Sequence, residues 1–317
     1  MAASRFRGTA RIARVTVYIA VLATLFLLRG RLGMDRLLPS FPGAADSTQT
    51  LRVAGAALAP ALLEQLLASY RRDYPALDIR AAGGGTAHAL EELIHGRADV
   101  AFLCRAPSIE EQDLFRAVDR DTALWFPVAL GGIVVLAGAD AAADSLSLEE
   151  LRALATGSPT ARFDRLFVAD PNLGLWDAAR SQLGIASMEQ PRQVIFLENE
   201  AAVLGAVAAD PRAAGLASSL SLPRDLASLG TRALALRPDA AGPAADPGYE
   251  EIAYGEYPLH HHLLAACRAR GSIQGTMFVT HLTSDRGQRQ VERAGFLPAR
   301  QTLREVVITR DPIGKTG

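Results

Sequence analysis

The sequence predicts an α/β fold of two lobes, with the chain crossing from the first lobe to the second and back. Three observations carry this. Short apolar runs alternate with helical stretches from Leu51 onward, the pattern of largely parallel strands covered by helices. The stretch Trp125 to Ala137 holds two apolar runs split by Gly131-Gly132, which suits a chain leaving one lobe for another. A late strand-like run, Tyr257 to Cys267, follows the Pro/Gly/Ala/Asp-rich loop Arg237 to Gly248 and is placed to return to the first lobe. At 317 residues the chain has the length of two domains of about 100–200 residues.

The elements follow in order. Arg5, Arg7, Arg11 and Arg14 precede an uncharged apolar run from Val15 to Leu28, an export signal too short for a comfortable span of about 20 residues. Arg29, Gly30 and Arg31 stand where a small-residue cleavage site is expected, so residues 1–33 are either a signal peptide or an uncleaved signal anchor. Residues 34–50, with Pro39, Pro42 and Gly43, read as a linker. Leu51 to Ala54 is a strand, and Leu62, Leu63, Leu66, Leu67 and Tyr70 share one helix face. Leu77 to Ala81 is the next strand, entering Gly83-Gly84-Gly85-Thr86 and a helix marked by Leu90, Leu93 and Ile94 and ended by Gly96. Val100 to Cys104 is the third strand; Arg105 follows, and Ser108 with Glu111 forms a capping box.

Beyond the crossover, Ser147 and Glu150 form a second capping box for a helix that stops near Gly157. Arg165 to Ala169, Val194 to Leu197, Gly215 to Ser218 and Arg232 to Leu236 read as strands. Helices from about Gly174 to Leu183 and Ala201 to Ala209 separate them, and the remainder to Ala294 is helical, closed by Gly295-Phe296-Leu297-Pro298. The division is 51–128 with 257–310 as the first lobe and 129–256 as the second.

Composition excludes several classes. A hydrophobic fraction of 49% and a charged fraction of 21% rule against disorder, and Lys+Arg 33 against Asp+Glu 34 gives no field for nucleic acid. Cys104 and Cys267 read as two small buried residues, with a single bridge as the alternative that export allows. In His260-His261-His262 only the first and third side chains share a strand face, and no carboxylate or cysteine lies at ligand spacing, so no metal or other cofactor is expected. The sequence has no G-x-S-x-G elbow, H-E-x-x-H or Walker loop, and it is read as a non-enzyme.

The order of motifs resembles the phosphate-binding-protein family of periplasmic receptors. The matching pieces are G-R-A-D-V-A-F-L-C-R-A-P-S, F-P-V-A-L-G-G-I-V-V-L, L-S-L-E-E-L, E-Y-P-L and D-R-G-Q-R-Q-V-E-R-A-G-F-L-P, spread over about Leu51 to Arg300. The resemblance implies a two-lobed periplasmic-binding-protein fold of type 2, its lobes joined by two crossover strands and closing on a small anion. It implies a periplasmic location, with an ABC permease or membrane partner and with the N-terminal segment at the membrane. Anions suit such a cleft because helix N-termini present unpaired N–H groups and positive dipole ends. The site residues carried over are Ala56, Gly84, Gly85, Thr86, Arg105, Asn172 and Gly174, with His88 beside them.

This chain departs from the family's pattern. Ala56 and Ala57 replace hydroxyl residues, and the second-lobe Arg and Ser-Gly-Thr fall on Ala169 and Leu173-Gly174-Leu175. Each lost bond is worth about 1–3 kcal/mol, which argues against tight phosphate binding and toward a larger, partly apolar anion. The alternative is a membrane-tethered sensor or protein-interaction module on the same fold.

Overall fold

The computed structural model describes residues 49–186 and 191–300. The segment expected to direct export, most of the expected linker and everything beyond Arg300 lie outside the described residues. Among those described, no helix is long and apolar enough to cross a membrane.

The first sheet begins with β1 (Thr50–Ala54), parallel to β2 (Asp78–Ala81) and β3 (Val100–Leu103). Helices α1 (Pro60–Asp73), α2 (Thr86–Ile94) and α3 (Ile109–Asp119) connect these strands onward. The apolar stripe predicted for α1 is buried from Leu62 to Tyr70. Asp99, in the G-R-A-D motif, clamps Arg52: it accepts from the Arg52 amide at 2.8 Å and pairs with the guanidinium at 3.1 Å. Burial pushes the Asp99 carboxyl up, but the bonds from Arg52 and Ser272 leave it below its ordinary value.

Strand β4 (Ala123–Gly138) is the crossover. Its first half pairs with β10 (His260–Arg268) and with β11 (Leu297–Pro298); its second half lies between β8 (Ala213–Ser218) and β9 (Thr231–Arg237). Gly131 and Gly132 sit at the change of partners. A Cβ on Gly131 would stand 2.7 Å from Leu220 Cγ, and one on Gly132 2.8 Å from Ile252 Cδ1, so second-lobe side chains pack onto bare backbone here.

The second sheet continues through β6 (Arg165–Ala169), parallel to β8 and to β7 (Val194–Leu197), while β5 (Ser145–Ser147) pairs with β9. Between them run α4 (Leu148–Ala155), α5 (Leu175–Gln182), α6 (Glu200–Ala209) and α7 (Tyr249–Ala253). The strand order is β2-β1-β3-β10-β4-β8-β6-β7.

Both predicted capping boxes form, at Ser108/Glu111 and Ser147/Glu150. The sequence reading did not anticipate β5 and α7, which are three and five residues long, too short for a legible period. The returning strand begins at His260 rather than Tyr257, because Tyr257 and Leu259 belong to the second-lobe core. Tyr257 donates its hydroxyl to Ile133 O at 3.0 Å, and Leu259 O accepts from Ile133 N–H at 3.0 Å, which makes this stretch the second connection.

Helices α8 (Ile273–Thr283) and α9 (Asp285–Arg293) follow β10, and α9 with β11 spans the Asp285–Pro298 motif. A Cβ on Gly287 would stand 2.2 Å from His281 O, so α9 starts against the end of α8. Buried Gln288 donates to Val128 O at 3.1 Å and Leu282 O at 2.8 Å, fastening α9 to β4 where its register with β10 shifts. Cys104 and Cys267 are free and buried in the first-sheet core.

Candidate functional site

Strands β1, β3, β6 and β8 end toward the seam between the lobes, and the predicted residues distribute unevenly along it. Gly55, at φ 83°, turns the chain out of β1 against the Phe102 carbonyl. Its amide donates to Gly83 O at 3.2 Å, and the Ala56 amide donates to Ala82 O at 3.1 Å. Those N–H groups hold the first two loops together instead of facing a ligand. Gly84 is covered by the ring of His88, whose Cδ2 would lie 2.4 Å from a Cβ there. His88 itself is exposed.

Gly85, Thr86 and Gly174 come together at one point. Thr86, fully buried at the start of α2, accepts from the Cys104 amide at 2.9 Å and donates to Leu173 O of the other lobe at 2.9 Å. A Cβ on Gly85 would lie 2.5 Å from Leu173 Cα and 2.6 Å from Asn172 O; one on Gly174, at φ 92°, would lie 2.5 Å from Thr86 Oγ1. Backbone therefore touches backbone, and two carbonyls of the Pro171–Leu173 turn stand at the positive end of nine-residue α2, in an anion's place. The Asn172 side chain is exposed; its amide donates to Asp170 Oδ1 at 2.8 Å, the turn chemistry that Asp-Pro-Asn suggests.

Arg105 is nearby but occupied. Its guanidinium makes a two-pronged pair with Glu111 at 2.7 and 2.9 Å, donates to Ala106 O at 3.2 Å, and reaches Asp177 of α5 at 3.2 Å. Those partners, Glu111 first, hold Arg105 charged, and Arg105 with the Ser108 amide keeps the Glu111 carboxyl below its ordinary value despite burial. Nothing in the sequence indicated Asp177, although an acid in the first turn of a helix is stabilised there.

A second polar group lies deeper, which the sequence reading missed. Glu200, the first residue of α6, accepts from the Ser218 amide at 2.8 Å and from the Ser221 hydroxyl. Among the described residues no cation pairs with it, and burial pushes its carboxyl up to about 7 against the pull of the Ser218 amide. Burial first, then the nearby Glu200 carboxylate, raises the Cys104 thiol across the seam. The Ser218 hydroxyl meets His261 Nε2 at 2.7 Å, and burial pushes that imidazole down to about 4, so it is neutral at physiological pH. The available signal was position: Glu200 follows the carboxyl end of a parallel strand and starts a helix.

Chemically the seam is closed by its own carbonyls and carboxylates, with a neutral imidazole and an easily protonated acid behind them. Among the described residues, an oxyanion entering the seam would meet the Arg105 guanidinium already engaged and would displace direct backbone contacts. His260 and His262 face each other with ring centroids 6.4 Å apart, and no group of three His, Cys, Asp or Glu among the described residues could hold a metal ion.

No curated protein matches the chain in sequence. Among solved structures it is similar to a phosphate ABC transporter substrate-binding protein with bound phosphate from Clostridium perfringens, at TM-score 0.66 and 15% identity, covering 80% of this chain and 100% of that one. It is also similar to an ABC-type phosphate transport receptor from Vibrio cholerae, at TM-score 0.62 and 17% identity, covering 79% and 100%. The regulatory domain of Synechocystis CcmR in complex with 2-PG matches at TM-score 0.52 and 15% identity, covering 74% and 95%. At these identities the likeness concerns the fold. The PBP superfamily domain matches residues 42–286. The chain thus belongs to the PBP superfamily and has the type 2 periplasmic binding protein fold of its phosphate-binding-like members.

Proposed function

We propose that the chain is an extracytoplasmic binding module of the solute-receptor fold whose phosphate seam is filled by the protein itself. In this reading it acts as a membrane-tethered sensor or interaction domain. Residues 1–33 supply export and residues 34–50 the tether, and the lobes follow the sequence bounds, 51–128 with 257–310 and 129–256, save that Tyr257 and Leu259 pack in the second-lobe core. The observation that carries the reading is the direct contact of Thr86 and Gly85 with Leu173, flanked by an Arg105 already paired with Glu111 and Asp177. Binding phosphate would mean breaking those bonds and bringing a dianion near the Glu200 carboxyl. Titration calorimetry with inorganic phosphate, paired with small-angle scattering for lobe closure, tests this. No heat and an unchanged radius of gyration are expected; micromolar phosphate binding with compaction would overturn it.

A second reading, an uptake receptor that closes on a small anion and docks on an ABC permease, draws on one observation: α2 and α5 both start at the seam, so opened lobes would present two helix N-termini. It becomes the better account if phosphate or another oxyanion gives saturable heat in the same titration.

A further inference from the structure

Apart from the candidate-site residues, a cavity of about 450 Å³ lies between the lobes. Leu130 of the crossover strand lines it together with Leu297 of β11. One wall is the face of α1 at Gln65 with Phe296; the other is the turn after β8, from Ser219 to Arg224, with α7 at Tyr249. None of Ala56, Gly84, Gly85, Thr86, Arg105, Asn172 and Gly174 lines it.

Its lining is mostly apolar, with leucine, proline and aromatic side chains from both lobes. A small number of polar groups interrupt that surface, the composition of a small-molecule pocket in its usual size range of about 300–1,000 Å³. Arg224 supplies the charge. Among the described residues it has no hydrogen-bond or ion-pair partner, in contrast to Arg105. Its guanidinium reaches over Gly295 of the opposite wall, 3.0 Å from where a Cβ would stand, so the missing side chain is what lets the cation span the groove. On the α7 wall, burial first and then Glu292 raise the Tyr249 hydroxyl, which keeps it a neutral hydrogen-bonding group. Arg224 is the one charged side chain among the lining residues, so the groove matches one negative charge rather than two.

We infer that this groove is a ligand site for an amphipathic monocarboxylate, its apolar body against Leu130, Leu220, Leu222 and Phe296 and its carboxylate on Arg224. Because the walls come from both lobes, an occupant ties their positions together. The inference does not depend on whether the Thr86–Leu173 seam takes phosphate.

The probes are 3-phenylpropionate and octanoate, with 3-phenylpropanamide and inorganic phosphate as controls, followed by amide chemical shifts of the ¹⁵N-labelled protein. Saturable shifts at Leu220, Leu222 and Phe296 are expected with the two carboxylates. The affinity should fall at least about tenfold for the amide and for Arg224→Gln, since one charge-assisted bond is lost. Arg224 is exposed and unpaired, so Arg224→Gln should fold, which unchanged dispersion of the spectrum verifies. Equal binding of acid and amide, no effect of Arg224→Gln, or shifts confined to Thr86 and Gly174 would each overturn the proposal. Phosphate shifts at Thr86 would instead count against the closed seam and leave the groove untouched.

Discussion

The Thr86 hydroxyl and the Leu173 carbonyl form a 2.9 Å hydrogen bond that joins the two lobes at the place where an anion would be expected. The same hydroxyl accepts from the Cys104 amide at 2.9 Å, so one side chain satisfies a buried donor of its own lobe and an acceptor of the other. Thr86→Val keeps the shape and leaves both groups unpaired. It should destabilise the protein by about 2–4 kcal/mol, whereas Thr86→Ser should cost less than about 1 kcal/mol. Urea denaturation of the three proteins checks this, and similar losses for Val and Ser would mean that packing, not bonding, matters here.

Gly85 and Gly174 separate two causes. At Gly85, φ is −97°, which any residue adopts, so Gly85→Ala acts only through the collision of its methyl with the Asn172 carbonyl and Leu173. At Gly174 the collision with Thr86 is joined by a φ of 92°, a backbone conformation that costs a non-glycine residue about 1 kcal/mol or more. Gly85→Ala should therefore open the seam with modest loss of stability, and Gly174→Ala should do so with a larger one. Amide exchange at the two loops, together with the radius of gyration, reads out the opening.

Glu200 makes the pH dependence specific. Its folded value of about 7 lies above its ordinary 4.5, so the folded state holds the proton more tightly. Stability from this residue is complete below about pH 4.5 and is lost as the pH rises through about 7. Glu200→Gln should match the wild type near pH 4.5 and exceed it by up to about 3 kcal/mol above about pH 8. A difference that stays flat across this range, measured by denaturant unfolding, would remove the buried acid from the account.

His261 acts in the opposite window. Its folded value of about 4 lies below its ordinary 6.5, so its contribution is present above about pH 6.5 and is lost as the pH falls through about 4. Ser218→Ala removes its 2.7 Å partner and should cost about 1–3 kcal/mol at pH 7. Imidazole chemical shifts during a pH titration follow the ionisation directly.

Arg105 and Asp177 join the lobes through partly exposed side chains, 22% and 31% accessible, so their coupling is discounted for solvent. A double-mutant cycle with Arg105→Met and Asp177→Asn should give about 1 kcal/mol at low salt and less at high salt. A cycle within error of zero would leave Thr86 as the main tie.

Much of this architecture could be read from local pattern. The leucine period of α1, the capping boxes at Ser108 and Ser147 and the glycine stops at Gly96 and Gly157 depend on residues three or four apart, which the chain's own geometry brings together. The motif order placed Gly85, Thr86 and Gly174 at loop ends, and the fold does bring these three into contact.

The identity of Arg105's neighbours could not be read this way. Asp177 lies 72 positions along the chain, Thr86 and Leu173 are separated by 87, and Ser218 and His261 by 43. Glu200 drew no notice in sequence because its raised ionisation comes from burial, a property that exists only once the lobes have packed.

The sequence by itself therefore determined the longer helices and strands, the crossover at Gly131-Gly132 and the glycine-lined loops, since each depends on short-range periodicity or on a backbone conformation. Only the tertiary structure decided that the seam is occupied by the chain's own carbonyls and carboxylates and that Arg224 stands unpaired over a separate groove. The physical reason is that hydrogen bonding, desolvation and charge pairing depend on distance in space, and residues far apart in sequence acquire those distances only when the chain is folded.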